Sequence, residues 1–196
     1  MSKLWKIVIL ISVFGIMALV VFFDYRKQAN IQPGRAGTDI LANTEIGTGI
    51  GDQAPDFTGE TLEGNSIQLS ELRGKTVVLN LFASWCGPCW AEMPHLIEAF
   101  QEVDHQETAF IGLNFQESPS AVIDFESEYS IQFPLVMDED GYLTNNLYQP
   151  IGLPTSWFID QDGIVRYVFS GPMSKQTLLK ILSDVQSGRE PNPYGI

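Results

Sequence analysis

The sequence predicts an α/β fold, a three-layer sandwich built on a mixed central sheet, preceded by one membrane-spanning helix. Strand-like and helix-like segments alternate after residue 51, which is the pattern of helices packed on a sheet. Gln161-Asp162-Gly163 is a turn signal between two strand-like segments, so we expect an antiparallel hairpin in the sheet. The chain opens on about twenty mostly apolar residues, the length of a transmembrane helix.

The first segment, residues 1–23, is interpreted as a transmembrane signal-anchor. Leu4–Phe23 contains a single lysine and is long enough, at about 1.5 Å per residue, to span a hydrocarbon core of roughly 30 Å. Met17–Phe23 offers no convincing Ala-x-Ala cleavage site, which favours an uncleaved anchor over a signal peptide. Basic residues nearly balance across the segment, and we expect a short tail inside and the domain outside.

Three further regions follow the anchor. Residues 24–50 are rich in Gln, Asn, Gly and Thr without sustained periodicity, which predicts a flexible linker. Residues 51–188 are expected to form one compact domain, and residues 189–196 a Pro-punctuated tail with no assigned chemistry.

Within the domain, apolar patterns predict each element in order. Lys75–Ala83 is an apolar, β-branched run typical of a buried strand, and apolar residues recur at helical spacing from Pro88. We expect the later elements to be a strand near 109–115, a helix near 120–129, a loop before Pro154, strands at 157–160 and 165–169, and a helix at 175–185.

Charge argues against one class of partner. The chain carries 24 acidic and 11 basic residues, a formal net charge of −13, so a nucleic-acid partner is not expected. A basic protein would be steered toward such a surface, although acidity serves solubility equally well.

Both cysteines of the chain lie in the stretch Trp85-Cys86-Gly87-Pro88-Cys89. A structural disulfide normally closes a longer loop, and a structural zinc site needs about four ligands. His95 and His105 are expected to be exposed, and one helix cannot wrap all four residues around an ion, so no metal is expected. We interpret the pair as redox-active, with Cys86 at a helix N-terminus as the nucleophile and Cys89 as the resolving thiol.

This stretch, with Pro94 shortly after it, resembles the active site of thioredoxin. Gly152–Asp160 is similar to the loop and strand that place a cis-proline against the cysteine pair in thioredoxin-like proteins. The resemblance implies that Pro154 is the cis-proline and that the backbone of Leu153 pairs with an incoming peptide. Trp85, Gly87 and Pro88 would share in substrate binding, whereas Trp90 could be a docking residue or ordinary packing.

More narrowly, the region from about 51 to 188 is similar to the membrane-anchored TlpA/ResA-like thiol-disulfide oxidoreductases. Ala54–Phe57 and Ser66–Lys75 resemble the N-terminal hairpin of the redoxin and peroxiredoxin branch, which thioredoxin lacks. Glu92 matches a glutamate of that family, and Asn80 stands where thioredoxin has a buried aspartate. Glu92 would therefore handle protons for Cys89, unless it is only a surface carboxylate favoured by the helix N-terminus.

The resemblance implies a membrane-tethered, extracytoplasmic protein-disulfide reductase with no cofactor beyond the Cys86–Cys89 disulfide. Apocytochrome c is the implied substrate, and a membrane thiol-disulfide reductant such as a DsbD/CcdA-like protein would re-reduce the pair. Gly87-Pro88 is also what thioredoxin has, at the reducing end of the range, roughly −270 mV.

Other functions remain open at this stage. A disulfide oxidase or a copper-site maturation factor would use the same pair. A thiol peroxidase is also considered, although Ala83-Ser84-Trp85 lacks the proline and threonine that precede the cysteine in that family. Finally, the pair could be inert in a binding module.

Overall fold

The computed structural model describes residues 45–192. An antiparallel hairpin comes first, formed by β1 (Thr58–Glu60) and β2 (Ser66–Gln68). The five strands of the main sheet are β3 (Thr76–Phe82), β4 (Thr108–Phe115), β5 (Leu135–Asp138), β6 (Thr155–Ile159) and β7 (Val165–Ser170). The helices are α1 (Gly87–Glu102), α2 (Pro119–Tyr129) and α3 (Lys175–Gln186), with a 3-10 turn at Leu69–Leu72 and a π-helix at Leu143–Tyr148.

The main sheet is mixed, as predicted. Its strand order is β5-β4-β3-β6-β7. The three strands β3, β4 and β5 run parallel, whereas β6 is antiparallel to both β3 and β7. The hairpin predicted around Gln161-Asp162-Gly163 is therefore the β6–β7 connection.

Central strand β3 separates two apolar cores. All seven of its residues are buried, and alternate side chains point to opposite faces of the sheet. Val78 and Phe82 pack in the core that contains the buried faces of α1, α2 and α3. Leu79 packs on the other face with Phe57 and Tyr148, which come from the segment before the hairpin and from the π-helix. The sheet is thus covered on both faces, which gives three layers.

Two elements differ from the sequence-based expectation of a loop before Pro154. The segment contains strand β5 and the π-helix. Strand β5 is only four residues long and shows no alternation of apolar and polar residues. The π-helix is rich in polar residues, and its stability comes from contacts that its own sequence does not show. The buried Asp138 carboxylate accepts hydrogen bonds from the N–H groups of Leu143 and Thr144, at 3.0 and 2.8 Å.

The two ends of the described chain are held against the domain. Ile46 forms a bridge with Gln53, and the Gly51 N–H donates to the Val165 carbonyl at 2.8 Å, so backbone contacts begin slightly before the expected domain start. At the other end, the Arg189 guanidinium binds the Asp184 carboxylate on α3. The predicted anchor, residues 1–23, lies outside the described residues. Within 45–192, no helix is long and apolar enough to cross a membrane.

Strand pairing brings three loops to one edge of the sheet. Phe82 at the end of β3 lies opposite Asn114 near the end of the parallel strand β4. Leu81 lies opposite Thr155, the first residue of the antiparallel strand β6. The loop after β3, the loop after β4 and the loop before β6 therefore meet, and the first of them contains the start of the cysteine motif.

Candidate active site

The cysteine pair lies at the start of α1. Cys86 is the N-cap of this helix, and Pro88 occupies its first turn, where a missing N–H is tolerated. Cys86 and Cys89 are joined by a disulfide bond with a Cα–Cα distance of 5.2 Å. The Cys89 N–H points at Cys86 Sγ, 3.2 Å away. A helix N-terminus is a position that favours negative charge, and therefore the thiolate form of a cysteine.

A groove of about 910 Å³ opens beside the disulfide. Its lining includes five residues predicted for the site: Trp85, Cys86, Gly87, Pro88 and Leu153. Both cysteines are largely buried, at 5% exposed for Cys86 and 1% for Cys89, and of the two only Cys86 lines the groove. The Leu153–Pro154 peptide bond is cis, as the resemblance implied, and Pro154 itself is buried below the groove surface. A second cavity, of about 580 Å³, is lined by Asp160 and Arg166 and includes none of the predicted site residues.

Glu92 is buried behind the cysteine pair, three residues after Cys89 on α1. Its carboxylate accepts hydrogen bonds from the Met173 N–H and from Asn80 Nδ2, each at 3.1 Å. Burial raises the pKa of Glu92 from 4.5 to about 7, and the two hydrogen bonds only partly oppose that shift. A carboxyl group with this pKa exchanges its proton readily near neutral pH, which is the property a proton carrier needs.

Comparisons with known proteins agree with this geometry. The sequence profile of the AhpC/TSA family matches residues 50–168. The thiol-disulfide oxidoreductase ResA of Bacillus thuringiensis subsp. konkukian (strain 97-27) is 36% identical over 136 residues, which cover 69% of this chain and 78% of ResA. This chain belongs to the ResA-like thiol-disulfide oxidoreductases. The thioredoxin-like protein YneN of Bacillus subtilis (strain 168) is 34% identical to this ResA-like chain, over 68% of its length and 79% of YneN.

Solved structures show the same fold. A thiol:disulfide interchange protein of the thioredoxin family from Chlorobium tepidum TLS superposes on the ResA-like chain with a TM-score of 0.61 and 28% identity. The match covers 73% of this chain and 99% of that protein. StoA from Bacillus subtilis matches with a TM-score of 0.56 and 27% identity, over 63% of this chain and 93% of StoA. The ResA-like chain therefore has a thioredoxin-like domain and acts in thiol-disulfide exchange on protein substrates.

Asn80 supports Glu92 in this ResA-like site. Its Nδ2 donates to Glu92 and also to Ser156 Oγ, at 2.8 Å, while its Oδ1 has no partner among the described residues. This orientation suits an ionised Glu92, which only accepts hydrogen bonds. Rotating the amide by half a turn would present Oδ1 to a protonated Glu92, so the same side chain can serve both protonation states.

The histidines differ in part from expectation. His105 is exposed, as predicted, but it lies in the turn after α1 and stacks on the Phe100 ring, 4.3 Å between centroids. His95 is half-buried rather than exposed, and its Nδ1 has no partner among residues 45–192. In this part of the ResA-like chain no group of three or more His, Cys, Asp or Glu side chains is placed to hold a metal ion.

Sequence reasoning missed several residues of the site, namely Glu117 and the groove-lining Thr144, Asn145 and Gln149. Glu117 lies closest to the cysteine motif in its contacts. This buried carboxylate follows β4 and accepts hydrogen bonds from the Ser84 N–H at 2.7 Å, from the Ser84 hydroxyl, and from Asn114 Nδ2 at 2.7 Å. Its position one loop away from the cysteines depends on the β3–β4 pairing. A signal existed nonetheless, because a polar residue directly after a strand parallel to β3 is expected at the same edge of the sheet.

Proposed function

We propose that the protein is a disulfide reductase anchored in the cytoplasmic membrane, with its catalytic domain on the outer side. One observation carries the proposal: the Cys86–Cys89 pair sits at a helix N-terminus, and only Cys86 lines an open groove. The Gly87-Pro88 dipeptide supports the reducing direction, since thioredoxin, at roughly −270 mV, has the same residues between its cysteines. The apolar stretch Leu4–Phe23 supports the membrane anchor.

The proposed cycle needs no cofactor other than the cysteine pair. The Cys86 thiolate attacks a disulfide of the client protein, forming a mixed disulfide and releasing one client sulfur as a thiolate. Cys89 then gives up its proton and attacks Cys86 Sγ, which frees the second client sulfur and closes the Cys86–Cys89 disulfide. Two electrons pass to the client. Glu92, with a pKa of about 7, takes the Cys89 proton.

Trp85, Gly87, Pro88 and Leu153 are proposed to bind the client segment next to its disulfide. Trp85 is 65% exposed beside Cys86, whereas tryptophan is highly buried on average and is enriched at binding interfaces. Apocytochrome c is the proposed client, because the family resemblance implies it and because a basic client would be attracted to a chain of net charge −13. A DsbD/CcdA-like membrane protein is proposed to return electrons to the oxidised pair.

A trapping experiment tests the direction of attack and identifies the client. In Cys89→Ser the mixed disulfide cannot be resolved, so the full-length variant should accumulate covalently bound to its client in cells. Cys86→Ser is the matched control and should capture nothing. Mass spectrometry of the trapped complex names the client, and capture by Cys86→Ser instead would show that the two roles are reversed.

A redox titration separates the reductase from the alternatives. A midpoint near roughly −270 mV is expected, whereas a midpoint near roughly −120 mV would indicate an oxidase. Because the AhpC/TSA profile matches the chain, hydrogen peroxide is tested as a second substrate. Peroxide turnover that depends on Cys86 would favour a thiol peroxidase.

A further inference from the structure

Ser84, two residues before Cys86, has all of its polar groups engaged. Its N–H and its hydroxyl both donate to the Glu117 carboxylate, to different oxygens, and the N–H distance is 2.7 Å. Its carbonyl accepts a hydrogen bond from the Trp90 indole N–H at 2.5 Å. We call Ser84, Glu117 and Trp90 the Ser84 clamp. It fixes the loop that leads from β3 into the cysteine motif from two sides.

Glu117 is itself held in a rigid setting. It is only 8% exposed, and Asn114 Nδ2 donates to the same oxygen that accepts from the Ser84 N–H. Asn114 lies opposite Phe82 in the parallel β3–β4 pair. The Glu117 carboxylate is therefore fixed relative to the sheet, and its hydrogen bonds to Ser84 fix the Ser84 loop relative to the sheet as well.

Trp90 ties the same loop to the helices. Its ring packs edge-on against Phe125 and Tyr129 of α2, at centroid distances of 5.3 and 5.7 Å. The Tyr129 hydroxyl donates to the Trp90 carbonyl at 3.1 Å. The sequence left open whether Trp90 is a docking residue or ordinary packing. Its ring is packed on one side and remains 43% exposed, and its one polar atom is directed at the Ser84 backbone.

We propose that Glu117 and Trp90 are positioning residues for the Cys86 sulfur, acting through Ser84. The Cys86 N–H donates to the Ala83 carbonyl at 3.1 Å, and its Sγ accepts from the Cys89 N–H. The loop that contains Ser84 thus sets where Sγ lies relative to the helix N-terminus. A loosened loop moves the sulfur away from the N–H groups that stabilise the thiolate. The proposal rests on Cys86 being the attacking thiol.

Glu117→Ala and Glu117→Gln test this with charge held constant, since both remove the same negative charge. Only Gln can still accept from the Ser84 N–H, and its Nε2 can donate to the Ser84 hydroxyl in place of accepting from it. At pH values below the Cys86 pKa, the alkylation rate is limited by the fraction of thiolate. Under these conditions we expect iodoacetamide to alkylate Cys86 of reduced, full-length Glu117→Ala roughly threefold more slowly than Cys86 of Glu117→Gln. The rates are measured across pH, and mass spectrometry confirms that Cys86 is the modified residue.

Trp90→Phe is the second test, because it keeps an aromatic ring beside Phe125 and Tyr129, removes the N–H donor and changes no charge. Its Cys86 pKa should rise above that of the wild type. Glu92, the buried carboxylate on the other side of the pair, is unchanged in every variant. Equal Cys86 pKa values in Glu117→Ala and Glu117→Gln, together with a wild-type value in Trp90→Phe, would overturn the proposal even if all variants melt earlier. The assay uses no client, so it remains informative if the proposed client or direction is wrong.

Discussion

Glu92 holds its proton at pH values where an exposed glutamate is ionised. Its pKa is raised from 4.5 to about 7 by burial. Between these values the folded protein keeps a proton that the unfolded chain has lost, so stability falls as pH rises. The contribution of Glu92 is fully present below about 4.5 and is lost by about 7, a change of about 3 kcal/mol.

Glu92→Gln should abolish this pH dependence. We expect the oxidised variant to be more stable than the wild type at pH 8, with the difference shrinking toward pH 4. The introduced glutamine amide can accept from the Met173 N–H and donate to Asn80 Oδ1, which lacks a partner among the described residues of the native protein. Urea unfolding of both proteins at several pH values measures the effect. A constant difference across pH would contradict the assignment of the raised pKa to Glu92.

At this scale the sequence predicts the residues of the motif better than their surroundings. Cys86, Cys89 and Glu92 share one helix, so spacing alone relates them. Glu117 and Ser84 lie 33 residues apart, and only strand pairing brings them together. The spacing of residues within one helix or strand cannot predict a hydrogen bond between residues this far apart in sequence.

Among the elements, the π-helix forms one wall of the groove. Thr144, Asn145 and the following Gln149 line it, and the Asp138 carboxylate holds the first turn of the helix through two backbone N–H groups. This arrangement resembles a helix cap, and removing a cap costs about 1 to 2 kcal/mol.

Asp138→Ala should therefore lower the free energy of unfolding by about 1 to 2 kcal/mol and raise KM for a cystine peptide more than it lowers kcat. Asp140→Ala is the matched control, because Asp140 is exposed and its side chain accepts one backbone N–H, from Tyr142. Equal effects of the two substitutions on KM would show that the helix does not shape the groove.

Element prediction succeeded where burial leaves a pattern in the sequence. Strand β3 is buried on both faces and reads as a continuous apolar run, and α3 shows an apolar stripe at helical spacing. The π-helix carries neither signal. Tyr148, its fully buried residue, packs against the Phe57 and Trp157 rings and donates a hydrogen bond to the Pro55 carbonyl. Phe57 and Pro55 are distant from it in sequence.

At the scale of the whole molecule, the net charge of −13 acts on encounter rather than on chemistry. Apart from Cys86 when it is a thiolate, the residues that line the groove carry no ionised side chain, so attraction of a basic client depends on the wider surface. Raising salt from about 0.02 M to about 0.5 M shortens the Debye length several-fold and should remove most of that attraction.

Reduction of a lysine-rich cystine peptide should therefore slow several-fold in kcat/KM over this range. A peptide with glutamine in place of each lysine serves as the control and should be unaffected. If kcat/KM fell equally for both peptides, salt would be acting on the enzyme itself and not on electrostatic attraction of the basic peptide.

Short segments form backbone contacts next to the two edge strands of the main sheet, β5 and β7. The Leu62 N–H donates to the carbonyl of Leu135, the first residue of β5. Gln53 forms an antiparallel bridge with Ile164, the residue before β7. The unpaired backbone groups of an edge strand can pair with an extended segment of another chain, which leads to aggregation. These two short contacts leave fewer positions along the sheet edges where an extended client chain could add as a strand.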